Sequence, residues 1–202
     1  ILAIPTTAGT GADVSSAVMV NLREQGIKAA MFGPSILPRV ALVDPFLTLG
    51  LPPRLTALTG IDALCHAVEA YTCARANPIS DAIAERAIEL VANNLRQAYA
   101  NGSNVEARGN MLLASTMAIL AAINAGGLGI VHSLAQTIGG YYNLPHGLTI
   151  AVCYPVGLEY NAIAMPEKYV RVSELMGTVT SGMTLIEAAK SDMIKWIAGL
   201  LL

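Results

Sequence analysis

Charge is what this sequence has least of. Only 13% of its 202 residues are Asp, Glu, Lys or Arg, about half the share of an ordinary soluble domain. A chain this poor in charge cannot cover its own outside with polar groups. It must either cross a membrane or bury much of its surface against further chain or a partner subunit. The formal net charge of −2 offers no basic patch, which removes the electrostatic basis for nucleic-acid binding. Three cysteines, Cys65, Cys73 and Cys153, stand without paired spacing. That argues against a disulfide framework and for reduced thiols in a cytoplasmic protein. Neither a GxGxxG fingerprint nor a Walker loop is present.

The stretch from Met111 to Val131 carries no charge and is long enough to cross a bilayer. Ala125-Gly126-Gly127-Leu128-Gly129 breaks it, however, and Ser115, Thr116 and Asn124 interrupt it with polar groups. No lysine or arginine flanks its C-terminal side and no aromatic belt marks its ends. We read it as a helix buried on all sides, with no membrane involved. The opening Ile1-Leu-Ala-Ile-Pro5 has no basic region ahead of its apolar run, so it reads as a strand entered mid-protein rather than a signal peptide. Leu200-Leu201-Leu202 stops inside an apolar helix without a cap. Both ends look cut.

Residues 1–50 have α/β texture. Ile1–Pro5 is a strand leading into the small-residue loop Thr6-Thr-Ala-Gly-Thr-Gly11, which alone would be an ordinary loop. Ala17–Leu22 and Ile27–Phe32 flank Arg23-Glu-Gln-Gly26 as a hairpin, and Ala41–Val43 is a short strand ending in a turn at Asp44-Pro45. From Pro52 onward the pattern is helical, and the composition changes there. Expected helices run over Pro53–Leu58, Gly60–Cys73, Ser80–Tyr99, Val105–Ile123, Gly129–Tyr141, Leu148–Ala164, Glu167–Met176 and Thr184–Leu202.

In the second of these, Asp62 and His66 are four residues apart and share a helix face among apolar neighbours. A carboxylate and an imidazole buried there need a satisfied hydrogen bond or a divalent metal between them. Both readings stand on that segment alone. The chain holds only two further histidines, His132 and His146, both in apolar or glycine-rich surroundings. Three imidazoles and one carboxylate form a donor set suited to Fe(II) or Zn(II). Other acidic and aromatic residues read more blandly. Asp81 is a first-turn helix-dipole partner, Glu69 stands behind His66 or in a surface salt bridge, and Tyr141 and Tyr142 pack in the core or, as a second reading, line a pocket.

An ordered series of motifs then resembles one family, the iron-containing (group III) alcohol dehydrogenases. The resemblance rests on Pro5-Thr-Thr-Ala-Gly-Thr-Gly11, Ala41-Leu-Val-Asp-Pro45, Leu51-Pro-Pro-Arg54, Thr59-Gly-Ile-Asp-Ala-Leu-Cys-His66-Ala-Val-Glu-Ala-Tyr71 and Asn77-Pro-Ile-Ser-Asp81. It continues through Asn110-Met-Leu-Leu-Ala-Ser115 and the spaced pair His132 and His146. It implies a mainly α fold of the dehydroquinate synthase-like type. On this view residues 1–50 are the end of an α/β dinucleotide-binding domain, and 51–202 form a helical metal-binding domain. It also implies a metal held by Asp62, His66, His132 and His146, Fe(II) or alternatively Zn(II), as the catalytic centre. Thr6, Thr7, Ala8, Gly9 and Thr10 would contact the nicotinamide end of NAD or NADP, with Lys28 near its ribose or phosphates. The substrate would be a small alcohol or aldehyde, and the assembly a homodimer.

Three departures from the family pattern matter. Gln136 stands four residues after His132, where another histidine is usual, so no titratable relay is available there. Ala12-Asp13 replaces a small-polar and glutamate pair. The family's glycine-rich pyrophosphate loop is missing ahead of Ile1, as are its helices beyond Leu202. As given, the chain should bind metal better than it binds the dinucleotide. An inactive metal-binding or subunit-pairing fragment, or a zinc-dependent polyol dehydrogenase or lyase on the same fold, remain open as alternatives.

Overall fold

The computed structural model describes residues 1–25 and 27–190. Two small sheets come first. β1 (Leu2–Ala3) pairs in parallel with β4 (Val40–Ala41), Leu2 opposite Val40. β2 (Ala17–Leu22) and β3 (Ile27–Phe32) form the expected antiparallel hairpin, Ala17 opposite Phe32 and Leu22 opposite Ile27. After β4 the chain turns at Asp44, whose carboxylate accepts from the Phe46 N–H at 3.0 Å and caps a single 3-10 turn over Pro45–Thr48.

The rest is helical. α1 (Pro53–Tyr71), α2 (Pro78–Ala100), α3 (Val105–Ala125), α4 (Ile130–Tyr142), α5 (His146–Ala162), α6 (Pro166–Leu175) and α7 (Leu185–Lys190) follow in order. Their starts are written in the sequence. Pro53 and Pro78 occupy first-turn positions, where no N–H is needed. Asn77 accepts from the N–H groups of Ile79 and Ser80 while the Ser80 hydroxyl accepts from the Asn77 N–H, a closed capping box. Asn104 caps α3 through the Ala107 N–H. The terminal helix expected from Thr184 is seen as α7; its remainder lies outside the described residues.

Two expectations are corrected. Pro53–Leu58 and Gly60–Cys73 are one helix, not two. Gly60 does not break it because α2 lies so close that a Cβ there would sit 2.3 Å from Leu95 Cδ1. The glycine marks a helix–helix approach, not a stop. The uncharged run from Met111 is also not one helix buried all round. It spans α3 and the start of α4, which meet at 110°, and Leu113, Leu120 and Ile123 on α3 face outward. No single described helix is long and apolar enough to cross a membrane.

α1 is the centre of the molecule. It packs against α2, α3 and α5 and touches α4, and from Thr56 to Tyr71 only Thr59 is not buried. A central helix with no wet face needs no charge, which accounts for part of the composition. Arg108, at 3% exposure, pins the entry to this helix. Its guanidinium donates to Gly102 O at 3.0 Å, to Thr56 Oγ1 at 2.7 Å and to Leu51 O at 3.1 Å. Asp81 does sit in the first turn of α2, and it also pairs with Lys168 at 3.0 Å to tie α6 down.

Candidate metal centre

The four expected donors come from three helices. α1 supplies Asp62 and His66 one turn apart, α4 supplies His132, and α5 supplies His146 as its first residue. The donor atoms of Asp62, His66 and His132 all lie within 4.8 Å of one another, and His146 approaches this group through Asp62. Asp62 Oδ1 lies 3.7 Å from His66 Nδ1, 3.4 Å from His132 Nε2 and 3.5 Å from His146 Nε2. The His66 and His132 rings stack with centroids 4.3 Å apart, and His146 lies tilted against His132 at 5.6 Å.

These separations are too long for good hydrogen bonds. Asp62 Oδ1, His66 Nδ1, His132 Nε2 and His146 Nδ1 are buried without a hydrogen-bond partner. Orphans of this kind in a core are costly. Donor atoms about 3.4 Å apart are what ligands at roughly 2.1 Å from a shared, near-tetrahedral ion present. The residues therefore fit a divalent metal. His146 is the wettest of the four, its side chain 24% exposed while Asp62 and His132 are at 4%. The open side of the site is the His146 side.

The electrostatics agree with that fit. Burial alone would raise the Asp62 carboxyl, but the neighbouring His66, His132 and His146 hold it down to about 2. Burial pushes His66 down to about 4 and lowers His146 as well, so both keep neutral rings with free lone pairs. His132 goes the other way. Burial opposes its charge, yet its pKa is held well above the ordinary imidazole value. Because burial pushes the adjacent Cys65 thiol up to about 12, that group is neutral, and the carboxylates of Asp62 and Glu69 are what hold the proton on His132.

Glu69 is the residue the sequence placed least well. It is neither exposed nor in a surface ion pair: at 3% exposure it bonds His132 Nδ1 through Oε2 at 2.6 Å. The available signal was its position three residues after His66 on a helix that turned out to be buried all round. Cys65 also faces His132 Nδ1, at 3.6 Å.

The Thr6–Thr10 loop docks on α3. Gly11 N–H donates to Ser115 Oγ at 3.1 Å, and Thr116 Oγ1 donates to the buried Asp13 carboxylate at 2.7 Å. Ala8 and Gly9 are buried. Thr6, Thr7 and Thr10 line a hollow of about 240 Å³. The Asp13 departure thus has a local job, anchoring the loop. Lys28 is half-buried on β3; burial lowers its pKa and the Asp62 charge partly restores it. Its ammonium accordingly feels the metal-ligand cluster. Gln136 leans on the hairpin, its amide 3.9 Å from Met19 Sδ. Tyr141 and Tyr142 are not core residues but stand 72% and 66% exposed, edge to face with one another.

Residues 56–201 match the sequence model of the Fe-containing alcohol dehydrogenase family, C-terminal part, and residues 1–45 that of iron-containing alcohol dehydrogenase. The 1,3-propanediol dehydrogenase of Klebsiella pneumoniae is 47% identical over 190 residues, covering 94% of this chain and 49% of that protein. The NAD-dependent methanol dehydrogenase of Bacillus methanolicus is 40% identical over 194 residues, covering 96% of this chain and 51% of that protein. The chain therefore spans about half the length of the curated relatives it matches. The crystal structure of a 1,3-propanediol oxidoreductase superposes with a TM-score of 0.91 at 46% identity, covering 99% of this chain and 52% of that one. A sulfoacetaldehyde reductase from Bifidobacterium kashiwanohense, solved in complex with NAD+, gives 0.84 at 32% identity, covering 99% and 50%.

Proposed function

This chain belongs to the iron-containing alcohol dehydrogenase family, and from that premise we propose that it carries the metal-holding half of an enzyme that moves a hydride between a small primary or secondary alcohol and NAD(P). The observation that carries the reading is one aspartate oxygen facing three imidazoles drawn from three helices, with the facing atoms of Asp62, His66 and His132 buried and without a hydrogen-bond partner. Asp62, His66, His132 and His146 are the proposed ligands of Fe(II), with Zn(II) the alternative that their chemistry also accepts. When bound, such an ion acts as a Lewis acid that lowers the pKa of an alcohol or polarises a carbonyl.

The chain's own residues do the rest. Asp62 supplies fixed negative charge beneath the site, and the neutral rings of His66 and His146 keep their lone pairs available. The buried residues of α1 keep water from Asp62 and His66, and the partly exposed His146 marks the approach left to the substrate. The Thr6–Thr10 loop offers small side chains and backbone, which lets a flat nicotinamide ring lie close to the reacting carbon. Lys28 carries its cation on the hairpin, close enough for its charge to act on Asp62 and His146. Use of NAD is favoured by the relatives whose names carry it. Residues 1–50 belong, in this reading, to the end of the dinucleotide-binding domain and those from 51 onward to the metal-binding domain. The unpaired cysteines favour the cytoplasm, the low charge favours an oligomer, and the family resemblance makes that oligomer a homodimer.

The test is anaerobic loading with Fe(II), followed by NADH and a panel of short aldehydes. NADH oxidation that disappears in His146→Ala supports the proposal. A chain that takes up iron but oxidises no NADH with any aldehyde is a metal-holding fragment only. A chain that binds no divalent ion loses both readings.

A further inference from the structure

Gly129 stands at the N-cap of α4, so the helix has no capping side chain of its own. The cap comes from another helix. Glu69, near the C-terminal end of α1, accepts from the Gly129 N–H through Oε2 at 2.9 Å and from the Val131 N–H through Oε1 at 2.7 Å. The same Oε2 lies 2.6 Å from His132 Nδ1. Three N–H donors thus converge on two oxygens, and a carboxylate surrounded in this way is purely an acceptor. His132 Nδ1 must then carry a hydrogen. In the neutral ring that leaves the lone pair on Nε2, the atom that faces Asp62 Oδ1 at 3.4 Å. The backbone makes room for this arrangement: a Cβ on Gly129 would stand 2.6 Å from Glu69 Oε1.

We infer that Glu69 is a positioning residue for the metal centre, fixing the tautomer and the ring plane of His132 while holding the N-terminus of α4 against α1. This rests on the four-ligand reading above. One carboxylate performs both tasks because His132 is the third residue of α4, so the first-turn amides and the imidazole point the same way. Cap and ligand cannot move separately. A carboxylate behind a metal-ligating histidine commonly governs metal affinity by about 10–100-fold, and here it also decides where α4 starts.

The experiment compares wild type, Glu69→Gln, Glu69→Asp, Gly129→Ala and Asp62→Ala. Co(II) affinity is measured by chelator competition, the visible spectrum of the Co(II) form is recorded, and thermal unfolding is followed without metal. Glu69→Gln must turn an N–H toward one of its three donors, so we expect Co(II) affinity to fall about 10–100-fold with a changed d–d spectrum. Glu69→Asp should recover part of both. Gly129→Ala, which displaces the carboxylate while leaving its charge in place, should shift affinity and spectrum in the same direction, and it stands in should Glu69→Gln fail to fold. A Glu69→Gln chain with a lower unfolding temperature but wild-type affinity and spectrum would overturn the inference and leave Glu69 a helix cap only. If Asp62→Ala binds Co(II) like wild type, the four-ligand reading itself has failed.

Discussion

Replacing Asp62 by Asn tests the centre at its hub. The exchange keeps shape and removes charge from a carboxylate that is 3% exposed and faces three imidazoles at 3.4–3.7 Å. In the metal-free chain the Asp62 pKa falls from 3.8 to about 2. A lowered carboxyl pKa contributes stability that is fully present above 3.8 and lost as the pH drops through about 2. Removing the charge should therefore lower the Tm of the metal-free chain at neutral pH. Metal adds a second difference. Wild type should gain about 4 kcal/mol at a thousandfold excess of metal over Kd. Loss of an anionic ligand should weaken binding by at least the roughly 100-fold at the top of the range for an outer-shell partner, which erases about 2.7 kcal/mol of that gain. Calorimetric scans of both chains with and without Co(II) separate the two effects. If Asp62→Asn shows the same metal-induced rise in Tm as wild type, Asp62 is no ligand and the donor set is wrong.

Other outcomes follow from the same geometry. The metal-free chain should be most stable near pH 6.5, read as urea midpoints across the pH range. Below 6.5, His66, lowered to about 4, favours the unfolded state that takes up its proton, at a cost of about 3 kcal/mol by pH 4. Above 6.5, His132, whose folded pKa is raised, loses the stability its proton provides; a monotonic profile would refute these assignments. Gly60→Ala should destabilise by about 1–3 kcal/mol, because its Cβ would meet Leu95 Cδ1 at 2.3 Å; an unchanged denaturation midpoint would mean α1 and α2 are less tightly packed than described. Chelating the metal should speed amide exchange in α4 more than in α2 or α3, since α4 is tied to α1 chiefly through Glu69 and the ligand cluster; uniform change across all helices would count against that.

Much of this was legible in the sequence because short-range rules govern it. α3 begins at Val105 as expected, α2 begins at Pro78 rather than Ser80 because Asn77 closes a capping box around the first turn, and the i, i+4 spacing of Asp62 and His66 puts them on one face. That His132 and His146 join them could be suggested by donor chemistry and family resemblance, but only the fold brings three helices to one point. What escaped the sequence depended on neighbours far away in the chain. Gly60 looked like a helix break because the closeness of Leu95 was invisible. Glu69 could stand behind a ligand or at the surface because its three donors lie 60 or more residues away. Tyr141 and Tyr142 looked like core because size was visible and facing direction was not. The partner of Asp13, Thr116, lies 103 residues away, out of reach of any local rule.

The charge inventory of the centre leads to one more expectation. Asp62 and Glu69 are both buried and both held below their ordinary carboxyl pKa values, Glu69 against its burial by His132 and by the Gly129 and Val131 amides. Two negative charges in an apolar interior demand compensation. His66 and His146 are pushed toward neutrality and supply none. Without metal, the compensating charge among the described groups bonded to these carboxylates is the His132 proton, leaving one net negative charge that Lys28 on the hairpin offsets only in part. A divalent ion in its place brings the sum to zero while Nδ1–H stays on Glu69. The proton on His132 Nε2 is thus a placeholder for the metal, and loading should expel it. Titration calorimetry in buffers of different ionisation enthalpy reads this directly. At pH 7 we expect release of up to one proton per metal bound, with affinity rising as the pH rises through the His132 range. Binding heats identical in all buffers would show that His132 is already neutral, and the charge balance argued here would fail with it.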